Sequence, residues 1–376
     1  MCAGTFLMRP FMESNKYTIQ KVLKIFGADV SRQAVIKAEN TGLIPAASRE
    51  GGKSNPRRNW TIADLPLIGE RYGFMKPLSG SMVVAVFTTK GGVLKSTLAL
   101  NLGRLAALHN QKVCIIGLDM QCDVTNALGY QVDLDESDNL DSALEKIGSV
   151  YGLSDFAQGK VTLDDIIIKS DIPTLDFIPE TPELVALERE ISSRNMRDFW
   201  LRDKVIKPLR ARYDLVILDC SPNWNLLISN ALMACDALIS PLECRINNFR
   251  NYQAFKAYLD NFKRDTGRNF AHIFVPTKFT STRKLSAEIR SWYLAHVPGC
   301  TGGAIRESVH GEEAIASHLS LPEYCPTSIV ADEMREVILE VWARLNDAAK
   351  QQSINEAHNR VTSKKKRAPE ARSLGR

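Results

Sequence analysis

The segment Lys90-Gly91-Gly92-Val93-Leu94-Lys95-Ser96-Thr97 has the residue types needed to hold a chain of phosphates. Paired glycines let the backbone curl so that successive N–H groups converge on phosphate oxygens, and the helix that follows adds the partial positive charge of its N-terminus. Lys95 can reach the β- and γ-phosphates, and the Ser96 hydroxyl can take one position on an octahedral Mg²⁺. The plain alternative is a Gly-rich strand–helix turn with a chance Lys-Ser pair. An apolar, β-branched run at 82–87 and a helix-forming stretch at 96–110 flank the segment and argue for the phosphate loop.

Two carboxylates follow at the ends of further apolar runs. In Leu118-Asp119-Met120-Gln121-Cys122-Asp123, Asp119 ends the run 113–118 and is a candidate for orienting an attacking water, although an Asp there also serves to cap a helix. In Tyr213-Asp214-Leu215-Val216-Ile217-Leu218-Asp219-Cys220-Ser221-Pro222, a hydrophobic strand ends in Asp219. That is a Walker B pattern, weak alone and strong behind a phosphate loop, whose carboxylate holds Mg²⁺ through water.

The elements that must position these groups are strands at 82–87, 113–118, 175–179, 215–219, 237–241 and 272–276, separated by helix-length stretches. Continuous apolar strands alternating with helices predict an α/β fold: a doubly wound, mostly parallel sheet covered on both faces, the architecture of a P-loop NTPase. Right-handed crossovers place the loops after the strands along one edge, where ligands bind. This domain is expected over 80–349.

Residues 13–76 predict a smaller unit ahead of it. A short helix capped by Thr18 and stopped by Gly27 is followed by a second capped by Ser31, a helix-turn-helix arrangement in which the start of the second helix faces base edges. Arg32, Gln33 and Lys37 are the candidate groove-facing residues, and Lys53, Arg57 and Arg58 the candidate phosphate contacts. A helical oligomerisation module with a solvated charged loop is the alternative.

Charge is distributed unevenly along the 376 residues. Residues 1–80 carry 12 Lys/Arg against 6 Asp/Glu, and residues 350–376 carry 8 against 2, around an acidic middle. Two basic ends suit a polyanion, or simply solvated tails. Residues 355–376 are polar and poor in large apolar side chains, and are expected to be a disordered basic tail. Its Lys364-Lys365-Lys366-Arg367 run has no apolar stripe for a membrane surface. The eight cysteines are scattered without C-x-x-C or Cys/His ligand spacing, and Cys114 and Cys220 fall in buried strands. With no signal peptide or spanning segment expected, the reading is cytoplasmic and nucleoid-associated, without a membrane partner.

The extra lysine at 90, ahead of Lys95, resembles the deviant Walker A motif of the ParA/MinD family, and residues 82–345 are similar to that family throughout. In the resemblance Lys90 reaches across a nucleotide-sandwich homodimer to the partner's phosphates. Asp119 and Gln121 match the Asp-Pro-Gln segment, with Met120 in place of proline. The family usually has Gly where Leu94 stands, and often a further Asp where Gly117 stands. Residues 274–279 and 313–326 resemble its late segments, to which the resemblance assigns no contacts. The N-terminal unit, with Gly42–Pro45 and the basic loop running into Trp60, resembles a MerR-like winged helix, as in the long plasmid-type branch.

The resemblance implies an ATPase using ATP and Mg²⁺ that dimerises on ATP, coats DNA non-specifically, singly or in higher assemblies, and is released when a ParB-like centromere-binding protein stimulates hydrolysis. It also implies autorepression through an operator. Two other classes share these motifs: a repressor in which nucleotide is only a switch, and a reductase of the nitrogenase iron-protein type, which needs cluster-ligating cysteines.

Overall fold

Every residue of the strands Met82–Val86, Val113–Leu118, Leu175–Ile178, Leu215–Cys220 and Ala237–Glu243 is buried, which is why their sequences are mostly apolar rather than alternating, with Asp176, Asp219, Ser240 and Glu243 as the polar exceptions. The computed structural model describes residues 16–50, 57–130 and 150–367.

The N-terminal unit comprises β1 (Tyr17–Thr18), α1 (Ile19–Ile25), α2 (Arg32–Asn40), β2 (Ser48–Glu50), β3 (Arg57–Trp60) and α3 (Leu65–Tyr72). Both expected caps are present: the Thr18 hydroxyl accepts the Lys21 N–H at 3.3 Å, and the Ser31 hydroxyl accepts that of Ala34 at 3.2 Å. Gly27 ends α1 in the left-handed conformation, at φ +59°. Strands β1, β3 and β2 form an antiparallel three-stranded sheet.

The large domain runs β4 (Met82–Val86), α4 (Lys95–Leu108), β5 (Val113–Leu118), α5 (Asp123–Ala127), α6 (Leu153–Ala157), β6 (Ile168–Lys169), β7 (Leu175–Ile178), α7 (Leu184–Ser192), β8 (Leu215–Cys220), α8 (Leu226–Ala234), β9 (Ala237–Glu243), α9 (Ile246–Thr266), β10 (Ala271–Phe279), α10 (Lys284–His296), β11 (Ile305–Arg306), α11 (Val309–Ala316), α12 (Leu321–Tyr324) and α13 (Ile329–Arg367). Among the described residues its sheet has the order β11-β10-β9-β4-β8-β5-β7-β6. All neighbours are parallel except β6, which pairs antiparallel with β7. The two-residue strands β6 and β11 at the sheet edges are too short to leave a sequence pattern.

Alternation along β4 divides the core. Met82, Val84 and Val86 face a layer built from α4, α13 and the N-terminal unit, whereas Val83 and Ala85 face α7, α8, α9 and α10. Helix α4 is buried on nearly every side because it lies between the sheet and these outer elements. The N-terminal unit is joined to it closely. Gly69 packs on the Leu108 carbonyl with no room for a Cβ, and Phe26 and Phe74 meet the His109 ring edge-on at 5.1 and 4.6 Å.

One expectation is corrected in part. The segment read as disordered from 355 continues α13 as helix to Arg367. Its polar composition lacks a stripe for packing, but a helix already anchored by Val337, Val341 and Leu345 continues without a new nucleation cost. Residues 368–376 lie outside the described residues.

Candidate nucleotide-binding site

Strands β4, β5 and β8 end side by side, with Val86 and Gly117 both in register with Asp219. The loops leaving β4 and β5 therefore open on the same edge. They enclose a cavity of about 620 Å³, within the range of small-molecule sites. Gly91, Gly92, Val93, Leu94, Lys95, Ser96 and Thr97 line it from the first loop, Asp119 and Gln121 from the second, and Ser221 and Pro222 from the end of β8.

The loop is held open by backbone geometry. Gly92 has φ +66°, and Leu94, the residue before α4, has φ +70°. A left-handed conformation costs a side-chain-bearing residue about 1–2 kcal/mol, so Leu94 adopts at some expense what glycine adopts freely. Its side chain packs on the core beneath. Thr277 at the end of β10 donates its hydroxyl to the Val93 carbonyl at 3.2 Å, fixing the loop from the far side. Lys95 is buried and folds back over the loop, its ammonium donating to the Lys90 carbonyl at 3.3 Å. The Ser96 hydroxyl donates to Asp123 at 3.4 Å.

Asp119 is 9% exposed and its Oδ1 accepts the Gln121 N–H at 3.2 Å. It shapes the turn after β5 but does not cap α5, whose N-cap is Cys122. Asp219 lies beneath the cavity, fully buried, and neither of its oxygens has a hydrogen-bond partner of ordinary geometry among the described residues. Burial pushes its pKa up to about 8, with Glu180 and Asp119 adding to the rise and the Ser96 hydroxyl and Lys95 opposing it. A buried carboxylate with both oxygens unsatisfied, beside a serine hydroxyl, presents the hard oxygen donors that Mg²⁺ prefers. Mg²⁺ takes few protein ligands and fills its remaining positions with phosphate and water. The residues therefore fit a magnesium–nucleotide complex.

Lys90 does not face this cavity. Its ammonium forms an ion pair with Glu243 at the end of β9. Glu243 was not singled out by the sequence, where it is one acidic residue among 43. Lys278 and Ile315 also line the cavity, from the two late segments, as does Glu312 immediately ahead of the second. Glu180 was missed as well. It follows β7, is 4% exposed, and its only sequence signal is an acidic residue after an apolar strand.

In the N-terminal unit, Arg32, Gln33 and Lys37 are all exposed on α2, and Arg57 is exposed on β3. Arg58 differs: it is largely covered, and its Nε donates to the buried Glu39 at 2.6 Å, so it ties the β2–β3 hairpin to α2. Lys53 lies outside the described residues. No helix among the described residues is long and apolar enough to cross a membrane.

Residues 81–271 match the family described as AAA domain (AAA_31). The chain is 30% identical over 162 residues to the chromosome partitioning protein ParA of Myxococcus xanthus, a match covering 43% of this chain and 52% of that one. It is 28% identical over 262 residues to the cell division protein PomZ of the same organism, covering 69% and 77%. The chain thus spans about half the length of the ParA relative. Among solved structures, the ATP complex of a Cyanothece McdA variant superposes with a TM-score of 0.59 at 18% identity, covering 71% of this chain and 96% of that one, which shows a shared fold. With the family match covering half of its residues, the chain belongs to the AAA domain family, as a P-loop protein of the ParA/MinD type.

Proposed function

We propose that this protein is a partition ATPase: it binds MgATP in the cavity at the ends of β4, β5 and β8, dimerises on it, and binds DNA until a ParB-like partner stimulates hydrolysis. The observation that carries the reading is the convergence of Lys95, Ser96 and Asp119 on one cavity above a buried carboxylate, Asp219, with both oxygens unsatisfied. In this reading the loop amides and Lys95 bind the phosphates, Ser96 and Asp219 hold the cation, and Asp119 orients the attacking water, with Gln121 beside it. Bound Mg²⁺ supplies charge neutralisation between the β- and γ-phosphates. Lys90 acts across the dimer. Among the described residues no arginine lines the cavity, and without an arginine finger the chain alone turns over slowly, at roughly 10⁻⁴ to 10⁻³ per second.

The test is ATP-dependent DNA binding and ATP turnover, each measured with and without the product of the neighbouring gene. Cooperative, non-specific binding with ATP, and turnover raised by the partner, support the reading. Rapid turnover by the chain alone, or DNA binding indifferent to nucleotide, overturns it.

A second reading, a repressor switched by nucleotide, draws on the capped α1–α2 pair and the exposure of Arg32 and Gln33 at the start of α2. The same unit serves autorepression in the first reading. One tight operator footprint without coating of flanking DNA distinguishes the second.

A further inference from the structure

Position 117 is a glycine inside a buried strand, one residue from its end, where glycine has no conformational role and normally weakens the element. Its role here is to make room. A Cβ at 117 would fall inside the carboxyl group of Glu180. Glu180 belongs to the segment after β7, the next strand in the sheet, and it lays its carboxylate over the Gly117 backbone. In a parallel pair, residues in register present their side chains to the same face, on strands about 4.8 Å apart. Gly117 is in register with Asp219, so the Glu180 carboxylate occupies the place beside Asp219 that a side chain at 117 would fill.

The two oxygens of Glu180 have different surroundings. Oε2 accepts both the N–H of Thr125, at 2.9 Å, and the Thr125 hydroxyl, and the Glu180 N–H donates in turn to that hydroxyl at 2.9 Å. Thr125 lies in α5, directly after the turn that carries Asp119 and Gln121. Oε1 is buried with no hydrogen-bond partner among the described residues, as are both oxygens of Asp219. Leaving such an acceptor unsatisfied is costly, the more so when it is charged. Two neighbouring buried carboxyl groups with three empty acceptor atoms between them hold a proton when the site is empty and offer those atoms to donors or a cation when it is filled.

We propose that Glu180 is a positioning residue of the nucleotide site: Oε1 accepts hydrogen bonds from the hydration shell of the cation held by Asp219, while Oε2 fixes the segment that carries Asp119. The inference rests on the magnesium–nucleotide reading of the cavity. It makes Gly117 and Glu180 one unit, in which the carboxylate absent from β5 is delivered from the neighbouring strand.

Glu180→Gln removes only the free acceptor and the charge, because the amide oxygen still accepts from Thr125. Relocating the carboxylate, as Gly117→Asp together with Glu180→Ala, restores a charge beside Asp219 but not the Thr125 bonds. The measurement is binding of mant-ATP, a fluorescent ATP analogue, across a Mg²⁺ titration and in EDTA, with thermal melting of each nucleotide-free variant. Outer-sphere partners of a metal site are worth about 10–100-fold in metal affinity, so Glu180→Gln should raise the half-saturating Mg²⁺ about tenfold and the relocated variant should return to within about threefold of the parent. Binding in EDTA and the Tm of Glu180→Gln should stay as in the parent. A parent that binds mant-ATP with Mg²⁺ dependence, beside a Glu180→Gln variant with unchanged half-saturation, overturns the role of Glu180. That role is equally overturned if Glu180→Gln loses as much affinity in EDTA as in Mg²⁺, or if the relocated variant folds and shows no recovery. A parent that binds no mant-ATP at all overturns the nucleotide reading itself.

Discussion

The ammonium of Lys90 is held by the carboxylate of Glu243, across the gap between the first loop and the end of β9, inside one chain. Glu243 is 3% exposed on its side chain and also lies 3.3 Å from Arg245, so it keeps a partner when Lys90 leaves. The lysine proposed to act on a second subunit is thus retained by its own.

This arrangement separates the two lysines of the loop. Lys95→Ala should abolish ATP binding, since its ammonium lies over the loop. Lys90→Ala should bind ATP normally and fail to dimerise. Glu243→Gln should favour the dimer about fivefold, the equivalent of a partly exposed ion pair worth ~1 kcal/mol. Nucleotide titration and sedimentation of the three variants check this, and equal loss of ATP affinity in both lysine variants would sink the division.

Asp119 and Asp219 should also separate. Asp119→Ala removes the carboxylate above the turn and should lower turnover about a hundredfold or more while ATP still binds. Asp219→Ala should weaken binding in Mg²⁺ and leave binding in EDTA unchanged. Normal hydrolysis by Asp119→Ala would assign the water to another residue.

His109 should make the fold acid-sensitive. It is 1% exposed, its Nδ1 donates to the Leu105 carbonyl at 2.7 Å, and its Nε2 accepts the Phe74 N–H at 3.0 Å. Burial lowers its pKa to about 4, with its helix carbonyl opposing and Lys76 contributing. The unfolded chain takes up this proton below about pH 6.5 and the folded chain only below about 4, so stability is full above 6.5 and falls as pH drops between the two. The loss is on the order of 3 kcal/mol by pH 4. His109→Gln should flatten this part of a Tm-against-pH profile, and a slope identical to the parent's would refute the assignment.

Arg104 should be indispensable to stability. It is fully buried in α4, with Nε and Nη2 on Glu323 at 2.7 and 2.8 Å and Nη1 and Nη2 on Asp171 at 2.8 and 2.9 Å. Arg104→Ala leaves Glu323 buried without a counter-charge, held only by the Ser320 N–H and hydroxyl, which costs about 3–5 kcal/mol. Arg104→Lys should recover little, because a point charge cannot fork between two carboxylates. Urea unfolding measures both, and a loss below about 1 kcal/mol in Arg104→Ala would contradict the ion-pair account.

The two basic ends should act differently on DNA. Arg32→Ala should reduce preference for the operator, since a good bidentate base contact is worth ~1–3 kcal/mol of discrimination. Removing residues 361–376 should flatten log K against log salt by up to about four units and leave that preference intact. Salt titrations on operator and random DNA decide this. Equal weakening on both DNAs by Arg32→Ala would show that α2 reads no sequence.

The placement of candidate residues along one contiguous stretch of chain was legible from the residues alone. The Lys90–Thr97 loop, Asp119 and Asp219 each sit where an apolar run stops, because a strand buried on both faces is mostly apolar and ends where the chain returns to the sheet edge. The caps at Thr18 and Ser31 were legible for the same local reason. Tertiary structure decided whatever depends on meeting a distant residue. The separations of 63 positions between Gly117 and Glu180, and of 219 between Arg104 and Glu323, leave no periodic trace. Only the order of strands, setting β7 beside β5 and β9 beside β4, determines which side chains share a buried space. Arg58 shows the same limit, since nothing in the hairpin's sequence points to its ion pair with Glu39 in α2. Local sequence fixes hydrogen-bonding geometry along the chain, whereas the pairing of buried charges is set by which segments exclude water together.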